Sequence, residues 1–80
     1  MLIYKGTDKE VFTKFHNLIF PFPARIVDHK ICEGTFENIM YQLGDVTIIS
    51  RVDYDKNNAK VKITSDKENE DIRNLTKLLN

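Results

Sequence analysis

Val46-Thr-Ile-Ile-Ser-Arg-Val-Asp-Tyr54, Asp55-Lys-Asn-Asn58 and Ala59-Lys-Val-Lys-Ile-Thr64 decide the fold. Read at period two, the first run puts Val46, Ile48, Ser50, Val52 and Tyr54 on one face, and the last puts Ala59, Val61 and Ile63 on one face. With Asp55 to Asn58 as a four-residue loop, Tyr54 lies opposite Ala59, Val52 opposite Val61 and Ser50 opposite Ile63. One face of the hairpin is then largely apolar. The other pairs Asp53 with Lys60 and Arg51 with Lys62. Register, turn chemistry and polarity agree on a hairpin.

Before the hairpin, Leu2-Ile3-Tyr4 is short, apolar and β-prone, and Gly6 closes it. Thr7-Asp8-Lys9-Glu10 has the spacing of a capping box. Behind it Val11, Phe12, Phe15, Leu18 and Ile19 recur at helical spacing, until Pro21 and Pro23 end the helix. Phe20-Pro-Phe-Pro23 is a stiff extended corner. Ala24 to Cys32 reads as a second strand in which neither alternating face is cleanly apolar. Glu33-Gly34 breaks it, and Thr35 is placed to cap a short helix carrying Phe36, Ile39, Met40 and Leu43, with Gly44 as its stop. After the hairpin, Ser65-Asp66-Lys67-Glu68 repeats the capping-box spacing before a last helix that buries Ile72, Leu75 and Leu79.

The expected order is strand, helix, strand, helix, strand, strand, helix, in one domain spanning residues 1–80. Such an order predicts a two-layer α/β (α+β) fold with a small four-stranded mixed sheet, because helices between strands favour parallel crossovers. This order resembles that of thioredoxin-like and glutaredoxin-like domains. Those families carry Cys-x-x-Cys or Cys-x-x-Ser after the first strand, where this chain has Gly6-Thr7-Asp8-Lys9. They place a cis-proline before the third strand, where this chain has Gly44-Asp45. The resemblance therefore implies topology and no functional residue. A ferredoxin-like or other α+β sandwich is the competing arrangement.

Eighty residues give room for one core, and a chain of this size buries roughly 60–65% of its unfolded surface. Hydrophobic residues make up 41% and charged residues 30%, a balance that excludes a disordered chain. Twelve basic residues cancel twelve acidic ones, so net charge predicts no electrostatic partner. Cys32 is the only cysteine, which excludes an internal disulfide. With no apolar run long enough for a leader or a membrane span, a cytoplasmic setting is expected. Scarce alanine beside plentiful Ile, Lys and Asn fits an AT-rich genome, as in many phages.

Each conspicuous polar group has a structural explanation. Cys32 precedes the third element, yet cysteine usually packs as a small hydrophobe. His29 and Cys32 have half the spacing of a metal site, but residues three apart on a strand face opposite ways. His16 is the sole further nitrogen donor, short of the four ligands structural zinc takes. Asp53-x-Asp55-x-Asn57 opens like a calcium loop, then has Asn58 where glycine is needed and Thr64 where a bidentate glutamate is needed. No catalytic residue, metal site or cofactor is expected.

The leading expectation is a small non-catalytic protein that binds another protein as a regulator or inhibitor. Phe20, Phe22, Tyr41 and Ile49 are the large apolar residues left for its contact surface. Pairing with a second copy is a further expectation for so small a core. The alternative is a nucleic-acid-binding module using the basic hairpin face, with Arg51, Lys60 and Lys62 and with Lys56 at the tip. A third reading is a degenerate thioredoxin-like domain using Cys32.

Overall fold

The hairpin forms in the expected register. In the computed structural model, which describes residues 1–80, β4 (Val46–Asp55) and β5 (Asn58–Ser65) pair Tyr54 with Ala59, Val52 with Val61, Ser50 with Ile63 and Arg51 with Lys62. The strands run on to the Asp55–Asn58 pair, so the loop shrinks from four residues to the two-residue turn Lys56-Asn57. Around this hairpin stand β1 (Leu2–Gly6), α1 (Glu10–Ile19), β2 (Ala24–Cys32), β3 (Phe36–Leu43) and α2 (Glu70–Leu79). The sheet has five strands in the order β1-β5-β4-β3-β2, every neighbouring pair antiparallel. The molecule belongs to the α+β class.

Three expectations are corrected. The segment 36–43 is a strand where helical spacing predicted a helix. Ile39, Tyr41 and Leu43 also alternate at period two, and all three point into the core. An eight-residue helix is too short to stand alone in water, whereas β3 gains hydrogen bonds on both edges, to β2 and to β4. Gly34 (φ 78°) and Gly44 (φ 61°) accordingly serve hairpin turns, with no helix between them to break or cap. The extra strand removes the parallel crossovers, so the sheet is not mixed and has five strands, not four. The thioredoxin-like arrangement falls with it, and a degenerate thioredoxin-like domain loses its topological basis. The order β1-β5-β4-β3-β2 is not ferredoxin-like either, and the α+β sandwich named as the other alternative is what remains.

The capping boxes are the third correction. Lys9 occupies the N-cap of α1 without a side-chain bond, and the Asp8 carboxylate accepts the Glu10 amide at 3.0 Å. At α2 the cap is Asn69, whose side-chain oxygen accepts the Ile72 amide at 2.9 Å. Ser65 ends β5, and its hydroxyl donates to the Lys67 carbonyl. In both cases the helix starts later than the capping-box spacing predicted.

Both helices cover one face of the sheet. Phe12, Phe15 and Ile19 of α1 and Ile72, Leu75 and Leu79 of α2 meet Ile48, Val52, Val61 and Ile63 in one continuous core. α1 packs on α2 and β4, while α2 packs on α1 and β1. The substantial packing of β2 is with β3 alone. This offset leaves the β2 flank uncovered on the helix side, and the sheet's other face has no layer over it.

Two positions carry a local conflict. Ser50 is fully buried among apolar neighbours, and its hydroxyl finds no partner. Ser50→Ala removes that desolvated group, so we expect stability to rise by about 1 kcal/mol, read as a higher urea midpoint at unchanged slope. Lys56 adopts φ 56°, at the same first turn position that Gly44 fills in the preceding hairpin. A side chain pays strain there, so Lys56→Gly should stabilise by roughly 0.5–1 kcal/mol in the same assay, net of glycine's greater unfolded freedom.

Candidate functional site

β2 forms one edge of the sheet, and none of its nine residues is buried. Its partner register shifts between Ile26 and Asp28, so Val27 is an extra residue, a β-bulge. The bulge changes the parity of the strand. Ile26 opposite Tyr41, and His29 opposite Ile39, therefore both face the helix side. So does Ile31, opposite Glu37. Ile26 is 48% exposed and Ile31 64%. Phe20, at the end of α1, is 85% exposed and lines a cleft with Ile26.

A groove runs between α1 and β2. Its apolar end is a cleft of ≈340 Å³ lined by His16, Ile19, Phe20, Ala24, Ile26 and Tyr41. Its polar end is a cleft of ≈400 Å³ that includes Glu10, Thr13, His16, His29, Glu37 and Tyr54. There His29 Nε2 donates to Glu37 Oε2 at 2.7 Å, both side chains partly solvated. His16 Nδ1 and the Tyr41 hydroxyl are hydrogen-bonded at 2.8 Å. The Tyr41 ring meets Phe15 edge-on, with centroids 5.7 Å apart. Burial, with the nearby charge of Glu37 adding to it, pushes the Tyr41 hydroxyl up to about 12. Tyr41 thus enters the groove wall as a neutral phenol held by the core.

The expected contact residues do not gather into one patch. Phe20 stands at the groove, and Phe22 is half-buried against the core. Tyr41, expected on a contact surface, is only 2% exposed. Its strand position, missed in the sequence, turns it inward. Ile49 lies on the opposite, open face of the sheet, beside Met40. Ile26, Val27 and Ile31 are exposed apolar residues that the sequence reading did not single out. Their signal was present in the mixed polarity of both faces of Ala24–Cys32, the mark of a strand buried on neither side.

The basic hairpin residues lie as expected. Arg51, Lys60 and Lys62 share the open face, and Lys56 sits at the turn. Arg51 Nε donates to both Asp53 carboxylate oxygens at 3.0 Å, and its guanidinium lies 4.3 Å from the centroid of the Phe36 ring. The Asp53 bond raises the Arg51 pKa further above its ordinary value. His29 and Cys32 point to opposite sides of β2, and Cys32 is exposed. No three His, Cys, Asp or Glu side chains converge on a common point. No helix is long and apolar enough to cross a membrane.

Comparison with known proteins finds no matching family model, no matching curated protein and no matching solved structure.

The raised Tyr41 pKa has a definite sign for stability. The folded value is about 12 against an ordinary 10, so the contribution is full below pH 10 and is lost as pH climbs from 10 through 12. The span corresponds to roughly 2–3 kcal/mol. Alkaline unfolding followed by circular dichroism should therefore steepen over that window in the wild type. Tyr41→Phe should lose this component, while starting about 1 kcal/mol less stable at neutral pH because its bond to His16 is gone.

Proposed function

We propose that this protein is a non-catalytic binding protein of the regulator or inhibitor kind, whose contact surface is the β2 edge and the groove beside it. The partner is another protein chain, which lays an extended segment alongside β2. The observation that carries this reading is the state of β2. It is an edge strand of nine residues with no buried side chain, and Ile26, Val27 and Ile31 remain exposed along it.

The physics of strand addition fits that edge. On the side away from β3, the backbone N–H and C=O groups of β2 are free to pair with an added strand. Such pairing supplies affinity, while side-chain pockets supply specificity. On the helix side an added strand's side chains would fall over Ile26 and Ile31 and into the cleft under Phe20. Completing the burial of each such half-exposed side chain is worth about 1 kcal/mol. His29 and Glu37 provide a polar, hydrogen-bonding end to an otherwise apolar groove. Natural edges of this length are usually guarded by charge, bulge or cover. Here the bulge at Val27 and the charges of Arg25, Asp28 and Lys30 limit pairing without blocking it.

A double variant, Ile26→Asp with Ile31→Asp, tests the reading. Both side chains are already exposed, so the fold should survive, with a melting temperature within a few degrees of wild type. In affinity capture from cells that produce the protein, the protein retained by wild type should be lost with this variant. Leu78→Asp, a change at an exposed site on α2, should retain it. An unchanged captured set in the β2 variant would remove β2 as the contact surface.

A further inference from the structure

The open face of the sheet carries an ordered charge pattern that the groove reading leaves unused. Lys5 pairs with Lys62, Lys62 with Arg51, Arg51 with Asn38, and Asn38 with Lys30. These pairings place four cations and one amide in a single row across all five strands, with no acid in the row. At the usual strand spacing of ~4.8 Å the row is roughly 19 Å long. Opposed like charges on neighbouring strands destabilise a sheet. Two such pairs, Lys5–Lys62 and Lys62–Arg51, stand side by side. Lys5, Lys60 and Lys62 have no acidic partner within 4.0 Å, whereas Arg51 is paired with Asp53 at 2.9 Å and Lys30 with Asp28 at 3.9 Å.

The face is basic although the chain is neutral. By register its outward residues include Lys5, Arg25, Lys30, Arg51, Lys60 and Lys62 against Asp28, Asp53 and Asp55. Six positive charges thus meet three negative ones on this face, in a molecule of net charge zero. On one side of the basic row runs a largely apolar band, Leu2–Thr64–Ile49–Met40, which ends on Asp28 of β2. On its other side the Phe36 ring carries the Arg51 guanidinium over its face.

We infer that this face binds a single-stranded nucleic acid, its phosphates along the Lys5–Lys62–Arg51–Lys30 row and its bases against the flanking apolar band and the Phe36–Arg51 stack. A cationic track beside planar and apolar surfaces is the arrangement that single strands use, because every base offers a π-face without needing a sequence-specific partner. A duplex hides its base faces and would leave the band and the stack without contacts. An acidic peptide would use the charges but has no need of an aromatic plane. The surface is independent of the β2 groove, since it occupies the opposite side of the sheet.

The test is fluorescence anisotropy with labelled twelve-nucleotide oligo(dT) and oligo(U) on the full chain. Three or four phosphate contacts predict an affinity that falls by about 20- to 50-fold between 50 and 200 mM salt. The double variant Lys5→Gln with Lys62→Gln should flatten that dependence by about two contacts, and it should melt no lower than wild type because opposed charges are gone. Lys14→Gln with Lys77→Gln, on the two helices, should bind as wild type does. Phe36→Leu should weaken binding several-fold while leaving the salt dependence unchanged, since it keeps apolar bulk and removes the ring. Absence of binding at 25 mM salt would overturn the inference. So would equal affinity for a duplex of the same length or for a twelve-residue polyglutamate, or indifference to Phe36→Leu.

Discussion

β4 holds the structure together. It is the middle strand of five, hydrogen-bonded along both edges, and its alternate residues Val46, Ile48, Ser50 and Val52 are all buried. A strand in that position has no freedom of register. A shift by one residue would turn its whole apolar set toward solvent and its Arg51 and Asp53 toward the helices. Both neighbours take their alignment from it, β5 through Val52–Val61 and β3 through Ile48–Tyr41. The same constraint sets the open face: once β4 is fixed, Arg51 must sit between Lys62 and Asn38. The charge row is a consequence of core packing on the other side of the sheet.

The two helices explain why the surfaces differ. They are ten residues each, about 15 Å long, and both lie toward β1 and β4. Their offset toward that half leaves the far edge of the five-stranded sheet without a helix over it. That edge is β2, where apolar side chains remain in solvent on the helix side. The bulge at Val27 acts on this directly. Without the extra residue, His29 and Ile31 would be on the open face with the charges. With it, Ile26 and Ile31 stand on the same side, separated by a histidine that Glu37 holds.

Much of this was legible in the residues alone, and the reasons are local. The β4–β5 register followed from apolar alternation, and the bounds of β2 from its flanking Phe-Pro and Glu-Gly pairs. The stop of α1 followed from Pro21. The failure at Phe36–Leu43 is equally physical. Phe36, Ile39, Met40 and Leu43 satisfy a helix, while Ile39, Tyr41 and Leu43 satisfy a strand, and a short apolar segment can satisfy both periods. That ambiguity carried Tyr41 onto the surface and hid the five-stranded sheet. It also hid the full charge row, because Lys5, Asn38 and Lys30 join Lys62 and Arg51 only when β1, β3 and β2 flank the hairpin.

What the sequence determined by itself was whatever depends on neighbours along the chain: the alternation of the hairpin, the amphipathic stripes of α1 and α2, and the proline that separates α1 from β2. Tertiary structure decided the state of residues 36–43, the antiparallel order of the sheet, the parity change at Val27 and the exposure of β2. Those outcomes rest on hydrogen bonds and burial between residues far apart in sequence. No local periodicity encodes them, and only the competition for both edges of a central strand selects among them.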